Sequence, residues 1–79
     1  MTRKEFLALF EEIVEAPSGS LTGAENLRED VEGWNSLAVV SLMALVDEHF
    51  DMRLSPERIA ACQTVNDLID LVGGKISNS

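Results

Sequence analysis

Nine of the eleven residues from Ser36 to Val46 are apolar, and that run limits what the chain can become. It lacks the strict alternation of a half-buried strand and falls short of the roughly 18 residues that would suggest a membrane span. It reads as a helix. Asn35 is a good N-cap, because its side-chain oxygen accepts from the free N–H groups of a first turn, and this puts Ser36 at the first helical position. The helix is expected from Ser36 to about Phe50, with Leu37, Val40, Met43, Leu45 and Val46 contributing to the core. Ala38, Val39, Leu42 and Ala44 spread apolar surface nearly all round it, so it is either central or part of a docking face. At the positive end of a helix dipole, Ser36 suits a negatively charged substituent. Plain capping is the commoner reason for an Asn-Ser pair, and the residues alone leave both readings open.

The remaining periodicity is also helical. Thr2 with Glu5 is a capping-box pair, and Phe6, Leu9, Phe10 and Ile13 follow at helical spacing, widened by Leu7 and Val14. This first helix is expected over 3–15, with Glu11, Glu12 and Glu15 facing away. Residues 17–34 show no sustained period, and a connection of that length is expected to be functional or anchored, here by Leu21, Leu27 and Val31. Glu25, Glu29, Asp30 and Glu32 suggest a solvated acidic rim, with one helical turn possible over 25–28. Ser55-Pro56-Glu57 opens a short helix anchored by Ile59, with Ala60 and Ala61 allowing close approach. Thr64 with Asp67 caps a last helix carrying Val65, Leu68, Ile69, Leu71 and Val72. Gly73-Gly74 ends it, and 75–79 is expected to fray. The expected fold is all-α: four helices with a long first loop and a short third helix, in one domain over 1–79 with its ordered core at about 3–73.

Composition narrows the function. Fourteen acidic residues stand against six basic ones, a net charge of −8, which disfavours nucleic acid and favours basic partner surfaces. One cysteine, Cys62, excludes an internal disulfide, and one histidine, His49, leaves no zinc-type cluster. A reducing, cytoplasmic setting is expected, with neither secretion nor membrane insertion. Ser36 and His49 lie about 20 Å apart along one helix, too far for a nucleophile and its base. Cys62 has no adjacent base and reads as a small buried hydrophobe. Adjacent acids such as Asp47-Glu48 and Glu11-Glu12 diverge on a helix and make no paired-carboxylate site. Read this far, the chain is an acidic helical interaction module without catalysis.

A resemblance sharpens that reading. Gly33-Trp34-Asn35-Ser36-Leu37 looks like the Gly-x-Asp-Ser-Leu site of the acyl carrier proteins, and Asp47-Glu48-His49-Phe50 is similar to that family's acidic-acidic-x-Phe ending of helix two. Length, acidity and helix order resemble the family over essentially the whole chain. The resemblance implies that Ser36 receives 4'-phosphopantetheine from coenzyme A, through a phosphopantetheinyl transferase using Mg²⁺, and that the arm's thiol then holds acyl groups as thioesters. The protein would be a non-catalytic, monomeric carrier serving acyl-activating, ketosynthase or acyltransferase enzymes with basic or apolar docking patches. Peptidyl or aminoacyl carriers are related alternatives, and an unmodified interaction module is a third.

On the same resemblance, Trp34, Asn35 and Leu37 flank the attachment site, with loop packing an equal alternative for Trp34. Leu37, Leu42, Leu45, Val46, Leu54, Ile59, Ala60 and Leu68 are candidates for lining an acyl-chain space. Asp30, Glu32, Ala38, Val39, Ser41, Asp47 and Glu48 are candidates for contacting partners, with Ala38, Val39 and Leu42 forming an apolar docking face. Two departures matter. The family's aspartate before the serine is Asn35 here, and Ala38 and Ser41 stand where the family commonly has acids. Both imply a specialised carrier, for fatty-acid-like, polyketide or related synthesis, with weaker steering by generic basic partners.

Overall fold

A computed structural model describes residues 1–73 and Ile76. Its elements are α1 (Arg3–Val14), α2 (Ser36–Phe50), α3 (Pro56–Ala61) and α4 (Val65–Val72), a four-helix all-α bundle with a short third helix. None of the described helices is long and apolar enough to cross a membrane.

Each helix starts where a side chain satisfies its free N–H groups. Thr2 and Glu5 close a reciprocal box on α1, and Thr64 and Asp67 do the same on α4. The Asn35 carboxamide oxygen accepts from Ala38 N at 2.9 Å, and Ser55 Oγ accepts from Arg58 N at 3.2 Å with Pro56 at the first helical position. Glu15 and Asp51 end α1 and α2 in the left-handed region, at φ 57° and 52°. The first helix is thus one residue shorter than expected.

The long connection between α1 and α2 is stitched to the start of α4. Asn26 and Thr64 form an isolated antiparallel bridge. Around it Leu27 N donates to Gln63 O at 2.8 Å, Val65 N to Glu25 O at 3.1 Å and Asn66 N to Gly23 O at 2.7 Å. Arg3 joins the same corner, its guanidinium donating to Thr22 O at 2.8 Å and to Asn66 Oδ1. Gly23 has φ 110°, and a Cβ there would collide with Arg3 and Asn66. Leu27 and Val31 reach the core as expected, whereas Leu21 is only half-buried. The helical turn expected at 25–28 forms one residue later, with Asn26 Oδ1 accepting from Arg28 N and Glu29 N.

Phe6, Phe10, Leu27, Leu42, Val46, Ile59, Val65 and Leu68 are fully buried within one connected cluster. Four expectations need correction. Glu11 does not face away: it is 4 % exposed, and its carboxylate accepts from Gly19 N at 3.0 Å and Leu21 N at 2.9 Å. The buried carboxylate needs donors in place of the water it loses, and the two loop N–H groups supply them. Leu37 and Val40 do not contribute to the core. The row Ala38, Leu42, Val46 turns inward instead, leaving Leu37, Val40 and Ala44 exposed on the opposite face. Ala60 and Ala61 are exposed rather than at a close helix approach, and the Ala60 carbonyl accepts from the Arg28 guanidinium at 2.6 Å. Ile76, placed in the tail expected to fray, is buried, with its N–H donated to Gly73 O at 3.1 Å. The rest of that tail, with Gly74, lies outside the described residues.

Candidate functional site

The approach to α2 is fixed from behind. Gly33 lies against the end of α1, and a Cβ built on it would overlap the Val14 carbonyl group. Only glycine allows that proximity, so Gly33 sets the angle at which the chain enters α2. Trp34 comes next, half-buried, its ring centroid 5.7 Å from that of Phe10 with the planes tilted by 45°. Of the two roles open to Trp34, packing is the one visible, and it is against α1.

Asn35 then caps α2 in extended conformation, φ −147°. Its side chain takes the Ala38 N–H and its carbonyl the Val39 N–H at 3.0 Å. The N–H groups of Ser36 and Leu37 precede the helical ladder and have no acceptor among the described residues. Ser36 is exposed at the first helical position, and its hydroxyl has no hydrogen-bond partner among the described residues. An accessible hydroxyl beside open N–H groups and the positive end of a fifteen-residue helix is suited to carry an anionic substituent.

The structure separates the other candidates. Leu42, Val46, Leu54, Ile59 and Leu68 come together, and all are core, between 0 and 5 % exposed. Leu45 packs half-buried against them, while Ala60 points away from that interior. Among the described residues, surface hollows occur elsewhere. One of about 500 Å³ lies between the end of α1 and the loop, lined by Val14, Glu15, Ala16, Leu21, Val31 and Gly33 among others. The second, about 520 Å³ and shallow, runs past Arg58, Cys62, Gln63 and Asp67.

Among the expected partner contacts, Asp30, Glu32, Asp47 and Glu48 are exposed, Val39 and Ser41 half-buried, and Ala38 and Leu42 buried. The expected docking face of Ala38, Val39 and Leu42 is therefore not a surface. The apolar surface of α2 belongs to Leu37 and Val40, and a helix apolar at nearly every position has no polar face to mark them as outside. The inward row at steps of four, Ala38, Leu42, Val46, was the signal that distinguishes the two faces.

Cys62 is buried, its thiol donating to Arg58 O at 3.5 Å. Burial, then the charges of Asp67 and Asp70, push that thiol above its ordinary pKa, which leaves it a poor nucleophile.

Comparison with known proteins adds one finding. Residues 4–72 match the family model described as the phosphopantetheine attachment site. No curated protein and no solved structure matches the chain significantly.

Proposed function

The chain belongs to the phosphopantetheine attachment site family, and from that premise we propose that it is an acyl carrier whose attachment residue is Ser36. As a member of the family it is a phosphopantetheine-binding carrier rather than a catalyst. The observation that carries the choice of residue is the exposure of Ser36 at the first position of α2, with the N–H groups of Ser36 and Leu37 open beside it.

The residues fit the group. A phosphodiester on Ser36 Oγ meets the helix dipole and free N–H donors, and Asn35 keeps α2 capped without competing for those two donors. When attached, phosphopantetheine supplies a terminal thiol that holds acyl groups as thioesters. The side chains of Leu42, Val46, Leu54, Ile59 and Leu68 form a closed core in this structure, so tucking a chain among them requires that core to open. Ala60 takes no part, being exposed.

The reading extends to a monomer in the cytoplasm, modified by a phosphopantetheinyl transferase with coenzyme A and Mg²⁺ and serving separate acyl-activating, ketosynthase or acyltransferase enzymes. The exposed carboxylates Asp30, Glu32, Asp47 and Glu48 support attraction to basic partner surfaces. Asn35 and the uncharged start of α2 support a specialised carrier of fatty-acid-like, polyketide or related synthesis rather than one that serves many enzymes.

The test is intact-mass measurement after incubation with coenzyme A, Mg²⁺ and a broad-specificity transferase, beside Ser36→Ala. One phosphopantetheine adduct is expected on the parent and none on the variant. A folded parent that stays unmodified points to an unmodified interaction module, and an adduct on both proteins places the attachment elsewhere.

A further inference from the structure

The hollow of about 500 Å³ between the end of α1 and the loop falls within the range of about 300–1,000 Å³ usual for small-molecule sites. Its floor is apolar, with Val14 and Val31 buried and Leu21 half-buried. Four carboxylates stand around that floor, Glu15, Glu25, Asp30 and Glu32, and no lysine or arginine is among the lining residues. Loop N–H groups engage two of them: Glu25 accepts from Thr22 N and Gly23 N at 2.8 Å, and Asp30 from Asn26 N at 2.9 Å. Glu15 and Glu32, both exposed, keep their charge for something else. A second source of negative potential is independent of these side chains. The carbonyl end of α1 reaches the hollow at Val14, and the last turn of that helix has no basic residue to balance its dipole.

The hollow is also within reach of the attachment site. Gly33 lines it, and three residues separate Gly33 from Ser36, a span of at most about 11 Å. Phosphopantetheine has about thirteen bonds from phosphorus to sulfur, or about 15 Å when extended like a peptide chain. A thioester tethered at Ser36 can therefore enter this hollow while the core around Leu42, Val46 and Leu68 stays closed.

Resting on the reading of Ser36 as the attachment residue, we infer that the hollow between α1 and the loop is a cargo site, and that the acyl group it takes carries a protonated amine, as an aminoacyl thioester does. The hydrocarbon part of such a group covers Val14, Leu21 and Val31, and its ammonium meets Glu15 and Glu32 at the negative end of α1. Each exposed ion pair is weak by itself. Tethering compensates, because a short flexible arm holds its end near the hollow at an effective concentration of the order of millimolar. A neutral chain of the same shape gains the floor but makes the carboxylates lose water without a partner, and an anionic chain is repelled.

The experiment loads the full chain with a broad-specificity transferase from coenzyme A, leucyl-coenzyme A or 4-methylpentanoyl-coenzyme A, the last two differing only in the amine, and compares amide NMR spectra at neutral pH. The leucyl form should move the resonances of Val14, Leu21 and Val31 about threefold or more further than the 4-methylpentanoyl form does, relative to the bare arm. Glu15→Gln/Glu32→Gln should cut the leucyl shifts by about threefold. Both positions are exposed and glutamine preserves size, so thermal unfolding of this variant should match the parent. Equal shifts from the two cargoes, leucyl shifts that survive neutralisation, or the same shifts from the bare arm overturn the amine assignment. Shifts concentrated at Leu42, Val46 and Leu68 instead overturn the hollow and place the cargo in an opened core. A parent that gains no mass adduct at saturating transferase overturns the reading of Ser36 itself, whereas a loaded parent with an undisturbed hollow overturns only the cargo site.

Discussion

The carboxylate of Glu11 is held by Leu21 across the end of α1, one oxygen accepting the Leu21 N–H at 2.9 Å while the other accepts from Gly19 at 3.0 Å. A helix side chain thereby pins the first part of a loop that has little regular structure. Replacing Glu11 with alanine leaves two loop N–H groups without that partner, and folding stability should fall by about 1–3 kcal/mol. Urea unfolding measures the loss. Amide exchange at Gly19 and Leu21 should accelerate more than exchange in α4, and uniform acceleration would argue against a local pin.

Gly33 and Val14 make a tighter demand. Since a Cβ at position 33 runs into backbone rather than into a movable side chain, Gly33→Ala should destabilise by about 1–3 kcal/mol. The tryptophan emission of Trp34 should shift as its contact with Phe10 loosens. Unchanged emission with unchanged stability would show that the approach of loop to helix is slack.

At Asn35 two substitutions separate capping from charge. Asn35→Ala removes the acceptor for Ala38 N and should cost about 0.5–2 kcal/mol. Asn35→Asp retains an acceptor and places an anion at a helix N-terminus, stabilising by about 0.3–1 kcal/mol. The aspartate should also speed modification by a transferase that reads a carboxylate there, and single-turnover kinetics distinguish that gain from mere stability.

Asp67 links the fold to pH. Its carboxylate accepts from Gln63 N and Thr64 N, and those bonds, Gln63 first, hold its pKa below the ordinary aspartate value. A depressed folded-state pKa adds stability that is complete above the unfolded pKa and disappears as pH falls through the folded one. The stability advantage of the parent over Asp67→Asn should therefore shrink on acidification from neutral pH to below the normal aspartate range. Denaturant titrations at several pH values check the slope, and a constant difference would detach Asp67 from acid unfolding.

Local chemistry was the legible part of this chain. The caps Thr2, Asn35, Ser55 and Thr64 each act on the N–H three positions on, so sequence spacing suffices to identify them. The place of Ser36 at the first helical position followed from the cap before it. The exposure of Leu37 and Val40 is not legible in the sequence, because an almost uniformly apolar helix has no polar face to mark the outside. Glu11 was equally opaque, as the N–H groups it satisfies lie eight and ten residues away in a loop of undefined course. The bridge between Asn26 and Thr64, like the docking of Arg28 on Ala60, joins segments far apart in sequence and needs the assembled fold to be seen.

Cys62, the sole cysteine of the chain, is folded inward with its proton held on. Thioesters move readily to any accessible thiolate, so a second sulfur at the surface would siphon cargo onto a dead end. With phosphopantetheine on Ser36 as proposed, hiding this sulfur would leave traffic to the prosthetic arm alone, and its silence would protect the fidelity of whatever is handed on.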